Sequence, residues 1–172
     1  YKCFALSSIM IPESVTSIGK SAFEESGLTS IFIHKSVNSI GLCAFGKCTK
    51  LEAINVSGEN QAYKSKEGVL FNYDITELIV CPRKKGRYSI PYGVKKIAKY
   101  AFYSCRQLSY ISIPCSVSAI ACYAFYYCSG LSSIIIPSSV TKLDSYAFGN
   151  CDKLSLVIYL GESISDISGS SY

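Results

Sequence analysis

The strongest constraint on this chain is a pattern of apolar residues that repeats about every 23 residues. Each unit starts at a leucine and carries apolar residues at fixed offsets from it; one clear copy contains Leu131, Ile134, Ile136, Val140, Leu143, Ala147 and Phe148. The same offsets recur from Leu6, Leu28, Leu51, Leu108 and Leu154, although the last unit slips by one residue. One unit is too short to bury its own apolar residues, so the pattern predicts a solenoid in which successive coils stack on each other.

Each unit translates into one coil. The Leu-x-x-Ile-x-Ile stretch alternates as a short strand does, and a proline such as Pro114 or Pro137 ends it because proline cannot donate to the ladder. A second extended piece, Val-x-x-Ile, precedes an Ala-Phe pair that we place on a helical or 3₁₀ turn. We expect a right-handed, β-dominated solenoid with one parallel sheet, spanning residues 1–172 in about seven rungs.

An insertion at residues 57–84 interrupts the repeat. Residues 68–71 and 77–82 are mostly apolar and flank the turn-like Asn72-Tyr73-Asp74, which predicts a β-hairpin. Whether its second strand stacks as a further rung stays open at this point.

Composition excludes several classes of protein. The chain has 172 residues, of which 49% are hydrophobic, so disorder is excluded. The longest aliphatic run, residues 134–136, is far below the ~20 residues of a membrane helix, so we expect no membrane insertion. The chain begins at Tyr1 without a leader sequence, and we therefore expect a fragment of a longer array. A net charge of +5, with no recognition helix or RNA-binding motif, does not point to nucleic acid.

The consensus Cys-x-x-Leu-x-x-Ile-x-Ile-Pro-x-Ser-Val-x-x-Ile-Gly-x-x-Ala-Phe resembles the BspA-like, Treponema-type leucine-rich repeat. Its clearest copies run over residues 105–125 and 128–148, while Ser26 and His34 depart from it. The resemblance implies a leucine-rich-repeat solenoid fold. It also implies a cell-surface or secreted protein of host-associated bacteria or protozoa, often an adhesin. It implies no particular ligand, because such repeats are scaffolds with many uses.

Cysteine and histidine give no catalytic or metal site. Five cysteines share the position three residues before the leucine (Cys3, Cys48, Cys105, Cys128 and Cys151), and we interpret them as a buried thiol ladder. Cys115 and Cys122 lie off this ladder and are expected to be more exposed. The lone His34 has no paired nucleophile and carboxylate, and no Cys-x-x-Cys exists. We predict no enzyme activity, no metal and no cofactor.

The outward positions of the first strand are mostly small and polar, with a few large apolar exceptions. We predict that the exceptions bind a protein partner, such as a host surface or matrix protein: Met10, Phe32, Tyr110, Ile135 and Ile158. The alternative is that strands simply favour such residues or that other segments cover them.

Two further patterns allow other functions. Tyr100, Tyr123 and Tyr146 share one repeat position and Tyr103 and Tyr126 another, which predicts stacked ladders that stabilise the fold or contact a ligand. A basic cluster without acidic residues offers an anionic glycan site as the alternative function: Arg83, Lys84, Lys85, Arg87, Lys95, Lys96 and Lys99. A third possibility is a passive structural spacer.

Overall fold

The computed structural model describes residues 3–83 and 86–163, together with the backbone of residues 166–167. Its elements are short strands: β1 (Ser17–Ile18), β2 (Ser30–Ile33), β3 (Ser39–Ile40), β4 (Ala53–Val56), β5 (Tyr63–Lys66), β6 (Val69–Asn72), β7 (Glu77–Val80), β8 (Arg87–Ser89), β9 (Lys96–Ile97), β10 (Tyr110–Ser112), β11 (Ala119–Ile120), β12 (Ser133–Ile136), β13 (Lys142–Leu143), β14 (Leu156–Tyr159) and β15 (Asp166–Ile167). The chain forms a strand-dominated leucine-rich-repeat solenoid of about six turns.

The coils carry two rows of parallel strands, not the one sheet expected. The longer strands pair as β2–β4, β8–β10 and β12–β14, and each pair is in repeat register, as with Ile134 opposite Val157. The short strands form a second row, with β1 beside β3 and β9, β11, β13 and β15 in succession. The expectation of one long sheet is wrong because each coil contributes two extended pieces facing different sides, and the insertion breaks the first row between β4 and β8.

The Ala-Phe pair lies on hydrogen-bonded turns, and the described residues contain no helix. Ala124 N–H donates to Ala121 O at 3.2 Å, but Tyr123 and Tyr127 on either side have left-handed φ angles of 58° and 61°. Left-handed residues cannot continue a helix. The expected helical or 3₁₀ turn is therefore wrong: Phe125 N–H instead donates to Ala147 O of the next coil, at 2.7 Å.

Phenylalanine rings stack through the core from coil to coil. Phe125 lies between Phe102 and Phe148, with ring centroids 4.8 and 5.2 Å away. Beside them runs the thiol ladder, in which Cys128 Sγ donates to Phe102 O and Cys151 Sγ to Phe125 O, both at 3.1 Å.

The ladder prediction is confirmed for its four inner members, Cys48, Cys105, Cys128 and Cys151, which are buried free thiols, whereas Cys3 is exposed. Off the ladder, Cys115 is exposed and Cys122 is half-buried.

The insertion is a three-stranded antiparallel unit in which β6 pairs with β5 and with β7. The predicted hairpin corresponds to β6 and β7, and β5 was not anticipated. Strand β7 also pairs in parallel with β9, Leu78 opposite Ile97, so the second hairpin strand does stack in the short-strand row.

The third coil, which starts at Leu51 and includes the insertion, has a shorter turn where the neighbouring coils have their Ala-Phe turn. Ala98 N–H donates to Leu78 O at 2.9 Å and Cys81 N–H to Ala101 O at 2.8 Å, which places Leu78 and Cys81 in the rows of Ile97 and Phe102. Only Ile79 and Val80 lie between them, where the next coil has residues 98–101. The third coil therefore lacks the projecting left-handed turn.

Candidate binding surfaces

Four of the five predicted anchors, Phe32, Tyr110, Ile135 and Ile158, project from the outer face of the long strands. Met10 occupies the repeat position of Phe32 in the first coil, where the described residues form no long strand. We call the surface that carries these five side chains the strand face. Their exposed fractions are 88% for Met10, 53% for Ile135, 47% for Phe32, 46% for Tyr110 and 39% for Ile158. Alternation explains this exposure: in β2 and β12 the flanking isoleucines point into the core, so Phe32 and Ile135 must point outward.

These side chains fall into two groups along the solenoid. The first group is Met10 and Phe32, and the second is Tyr110, Ile135 and Ile158. Ile135 and Ile158 are directly opposite each other across β12 and β14, whereas the partner of Phe32 across β2 and β4 is the polar Asn55. Leu156, 51% exposed and opposite Ser133, joins the second group. Sequence reasoning missed Leu156, although it occupies the same repeat position as Tyr110.

His34 lies at the edge of the first group. Its ring meets Phe32 edge-on at 5.0 Å between centroids, and Nδ1 is 4.0 Å from Glu13 Oε1. Asn60 Nδ2 donates to the backbone oxygen of His34 at 2.7 Å, which fixes the strand end. Within residues 3–83 and 86–163, no three His, Cys, Asp or Glu side chains group as metal ligands.

The tyrosines form the predicted ladders. Tyr123 is stacked between Tyr100 and Tyr146, with ring centroids 5.2 and 5.4 Å away, and Tyr103 stacks on Tyr126 at 6.2 Å. Lys99 Nζ lies 5.4 Å from the Tyr100 ring centroid, a favourable cation–π distance.

The basic cluster is spread over several surfaces. Arg87 lies over the Tyr110 ring on the strand face at 4.6 Å, Lys96 pairs with Glu77 at 2.8 Å, and Lys99 lies over Tyr100. Arg83 is half-buried and its Nε donates to Ser104 O, while Lys95 is exposed. Lys84 and Lys85 lie outside the described residues.

Stacked coils with a Leu-x-x-Ile-x-Ile strand and no helix in the described segments define a leucine-rich-repeat solenoid. The sequence matches the model for the BspA type leucine-rich repeat region, in six copies over residues 1–87 and 81–172. The chain therefore belongs to the BspA-type leucine-rich repeat family. Leucine-rich repeats of this family are typically non-catalytic binding modules. Among curated proteins there is no significant match.

Solved structures of bacterial leucine-rich-repeat proteins share the fold. A protein from Eubacterium ventriosum is 32% identical, with a TM-score of 0.82 over 88% of this chain and 41% of that one. A leucine-rich cell surface protein from Faecalibacterium prausnitzii is 28% identical, with a TM-score of 0.55 over 88% of this chain and 53% of that one.

The pneumococcal vaccine antigen PcpA shares the fold at 24% identity and a TM-score of 0.68, over 90% of this chain and 46% of that one. The chain thus spans about half the length of these proteins or less. The described segments include no helix long and apolar enough to cross a membrane.

Proposed function

We propose that this chain is a non-enzymatic, protein-binding module of a cell-surface or secreted protein, and that it binds a host surface or matrix protein through the strand face. The observation that carries the proposal is the exposure of Met10, Phe32, Tyr110, Ile135 and Ile158 on one face, among small polar side chains. A few large apolar side chains surrounded by polar ones are typical of interfaces in which hot spots dominate the binding energy.

The similarity to the cell surface protein from Faecalibacterium prausnitzii supports a location at the cell surface. The strand face itself supports the mode of binding, because its rigid backbone holds the anchors at fixed spacing and little conformational entropy is lost on association.

The test is capture of proteins from a host-cell surface extract by the immobilised chain, in low and high salt. We expect salt-resistant capture of a protein, and its loss in the double variant Phe32→Asp/Ile135→Asp, because each substitution places a carboxylate in an apolar contact. Circular dichroism should show unchanged folding, since both side chains are exposed.

The matched control is Asn38→Asp/Ser138→Asp, which adds the same charge at exposed positions outside the anchor groups. Capture that survives in the first variant as it does in the control would contradict the proposal. Capture that disappears in high salt would favour an anionic ligand, and the absence of any capture would favour a structural spacer.

A further inference from the structure

A notch opens beside the shortened third coil. It is lined by the turns of the coils on either side, residues 41–43 and 98–101, and by Ile79 and Val80 of the third coil between them. The space between them, which we call the aromatic compartment, has a volume of about 280 Å³ and is also lined by Cys43, Tyr100 and Tyr103.

A second recess of about 490 Å³, the basic compartment, continues the notch around the same coil. Lys47, Lys50, Arg83 and Arg106 line it, and Arg83 lines the aromatic compartment as well. Between the two, Tyr103 reaches across to the second coil, where a Cβ added to Gly46 would lie only 3.4 Å from its ring.

Positive charge is concentrated here. Six cationic side chains line the notch (Lys47, Lys50, Arg83, Lys96, Lys99 and Arg106), against the carboxylates of Glu25 and Glu77. The excess of four charges compares with +5 for the entire chain. Both carboxylates already pair with lysines, Glu25 with Lys47 at 2.9 Å and Glu77 with Lys96 at 2.8 Å. Among the residues that the structure describes, Lys50, Arg83 and Arg106 have no ion-pair partner.

Arg83 is the least solvated of these cations. Burial lowers the pKa of its guanidinium, and the nearby charge of Arg106 lowers it further. Two cations held close together in a recess repel each other, and an anion bound between them would relieve this repulsion.

The aromatic compartment interrupts the tyrosine ladder. One face of Tyr100 is covered by Tyr123, but towards the second coil the next residue in the row is Cys43, two coil spacings or ~9.6 Å away. A planar ring between them would continue the stack at the spacing that the tyrosines already have. An apolar cavity of ~150 Å³ is known to hold benzene, so the volume is sufficient for one aromatic side chain.

We infer that the notch binds an acidic peptide segment carrying an aromatic side chain, with the ring between Tyr100 and Cys43 and the carboxylates at Lys50, Arg83 and Arg106. The notch is lined by turns and not by the strand face, so the inference does not depend on the function proposed above.

The probe is the peptide Glu-Glu-Trp-Glu-Glu, whose Trp fluorescence reports binding when it is excited at a wavelength that tyrosine does not absorb, because this chain has 14 Tyr and no Trp. We expect saturable binding that weakens with salt. The variant Lys50→Ala/Arg106→Ala should raise the dissociation constant about tenfold, since it removes two unpaired cations. Both side chains are exposed, so the fold should be unaffected.

The charge-matched control is Lys66→Ala/Lys153→Ala, at exposed positions outside the notch, and its dissociation constant should be unchanged. As competitors, Glu-Glu-Phe-Glu-Glu should be about fivefold more effective than Glu-Glu-Leu-Glu-Glu if a ring stacks on Tyr100. The strand-face variant Phe32→Asp/Ile135→Asp should bind the peptide as the parent chain does.

Three results would overturn the inference: no binding, equal weakening by the control, or loss in the strand-face variant. A fourth result would also overturn it: a sulfated hexasaccharide competes for the notch better than the peptides do, and its binding requires Lys50 and Arg106. The occupant would then be an anionic glycan.

Discussion

The burial of a residue in this chain depends on its position in the repeat, because residues at one position form a row along the solenoid. Phe125 and Cys128 face the same core as Phe102 and Phe148 and as Cys105 and Cys151 in the adjacent coils, so burial is repeated along this part of the solenoid. The thiols illustrate the consequence. Burial raises the pKa of Cys105 from its ordinary value of 9.0 to about 12, so this thiol stays protonated at neutral pH and is a poor nucleophile.

Alkaline pH should therefore destabilise the fold. Once unfolded, Cys105 ionises near pH 9, whereas in the folded chain it stays protonated to about pH 12. Between these values the unfolded state binds fewer protons, so the free energy of unfolding falls as pH rises, by up to about 1.4 kcal/mol per pH unit from this group. Urea titrations at several pH values, under reducing conditions, measure the slope.

The control for this prediction is Cys105→Ala, which should show a shallower alkaline slope although its stability at pH 7 is lower. The same slope in both proteins would mean that the Cys105 thiol does not contribute.

The strands of this fold can be predicted from the local sequence pattern, whereas the Ala-Phe turns depend on contacts between coils. Alternation in the Leu-x-x-Ile-x-Ile stretch is enough to predict β2, β4, β10, β12 and β14, and the outward positions followed from it. The Ala-Phe turns were mispredicted because non-glycine residues such as Tyr100 and Tyr123 adopt left-handed φ there. Contacts between coils compensate for this local cost, and local propensity does not report them.

The turn between β5 and β6 offers a test at this scale. Glu67 and Gly68 both have positive φ, 52° and 77°, as a two-residue hairpin requires, and a Cβ on Gly68 would approach Ala53 Cβ to 2.9 Å. We expect Gly68→Ala to reduce the free energy of unfolding by about 1–2 kcal/mol.

Gly58→Ala is the matched control, because nothing lies within 4 Å of a Cβ at that position. Its stability in urea should be unchanged or slightly higher. If Gly68→Ala were equally well tolerated, the contact with β4 would not constrain this turn.

The residues that the structure describes form two buried clusters, divided at the insertion. One extends from Ile11 to Ile54 and includes Leu70, and the larger one extends from Val69 to Cys151. Since the stability of a solenoid is approximately a sum over neighbouring coils, we expect the two clusters to form separate units of opening, with the boundary at the insertion.

Native-state hydrogen exchange should resolve these units. We expect amides of β2 and β3 to exchange at a lower free energy of opening than those of β10–β12, because their cluster is smaller. Leu28→Ala should lower protection only in the first unit and Leu131→Ala only in the second, each by about 2–5 kcal/mol. A uniform loss of protection in either variant would show instead that the solenoid opens as one unit.

The sequence by itself determined the repeat, the residues that face the core, and the outward positions of Phe32 and Ile135, because a fixed offset places a residue in the same environment in every coil. Only the tertiary structure decided the path of the insertion, the two strand rows and the notch. The basic cluster read along the chain is dispersed by folding: Arg87 turns to the strand face, while Lys47, Lys50 and Arg106, distant in sequence, meet Arg83 beside the shortened coil. The physical reason is that stacking brings coils together across the sequence, and the gap left by the missing turn depends on the pairing of β7 with β9.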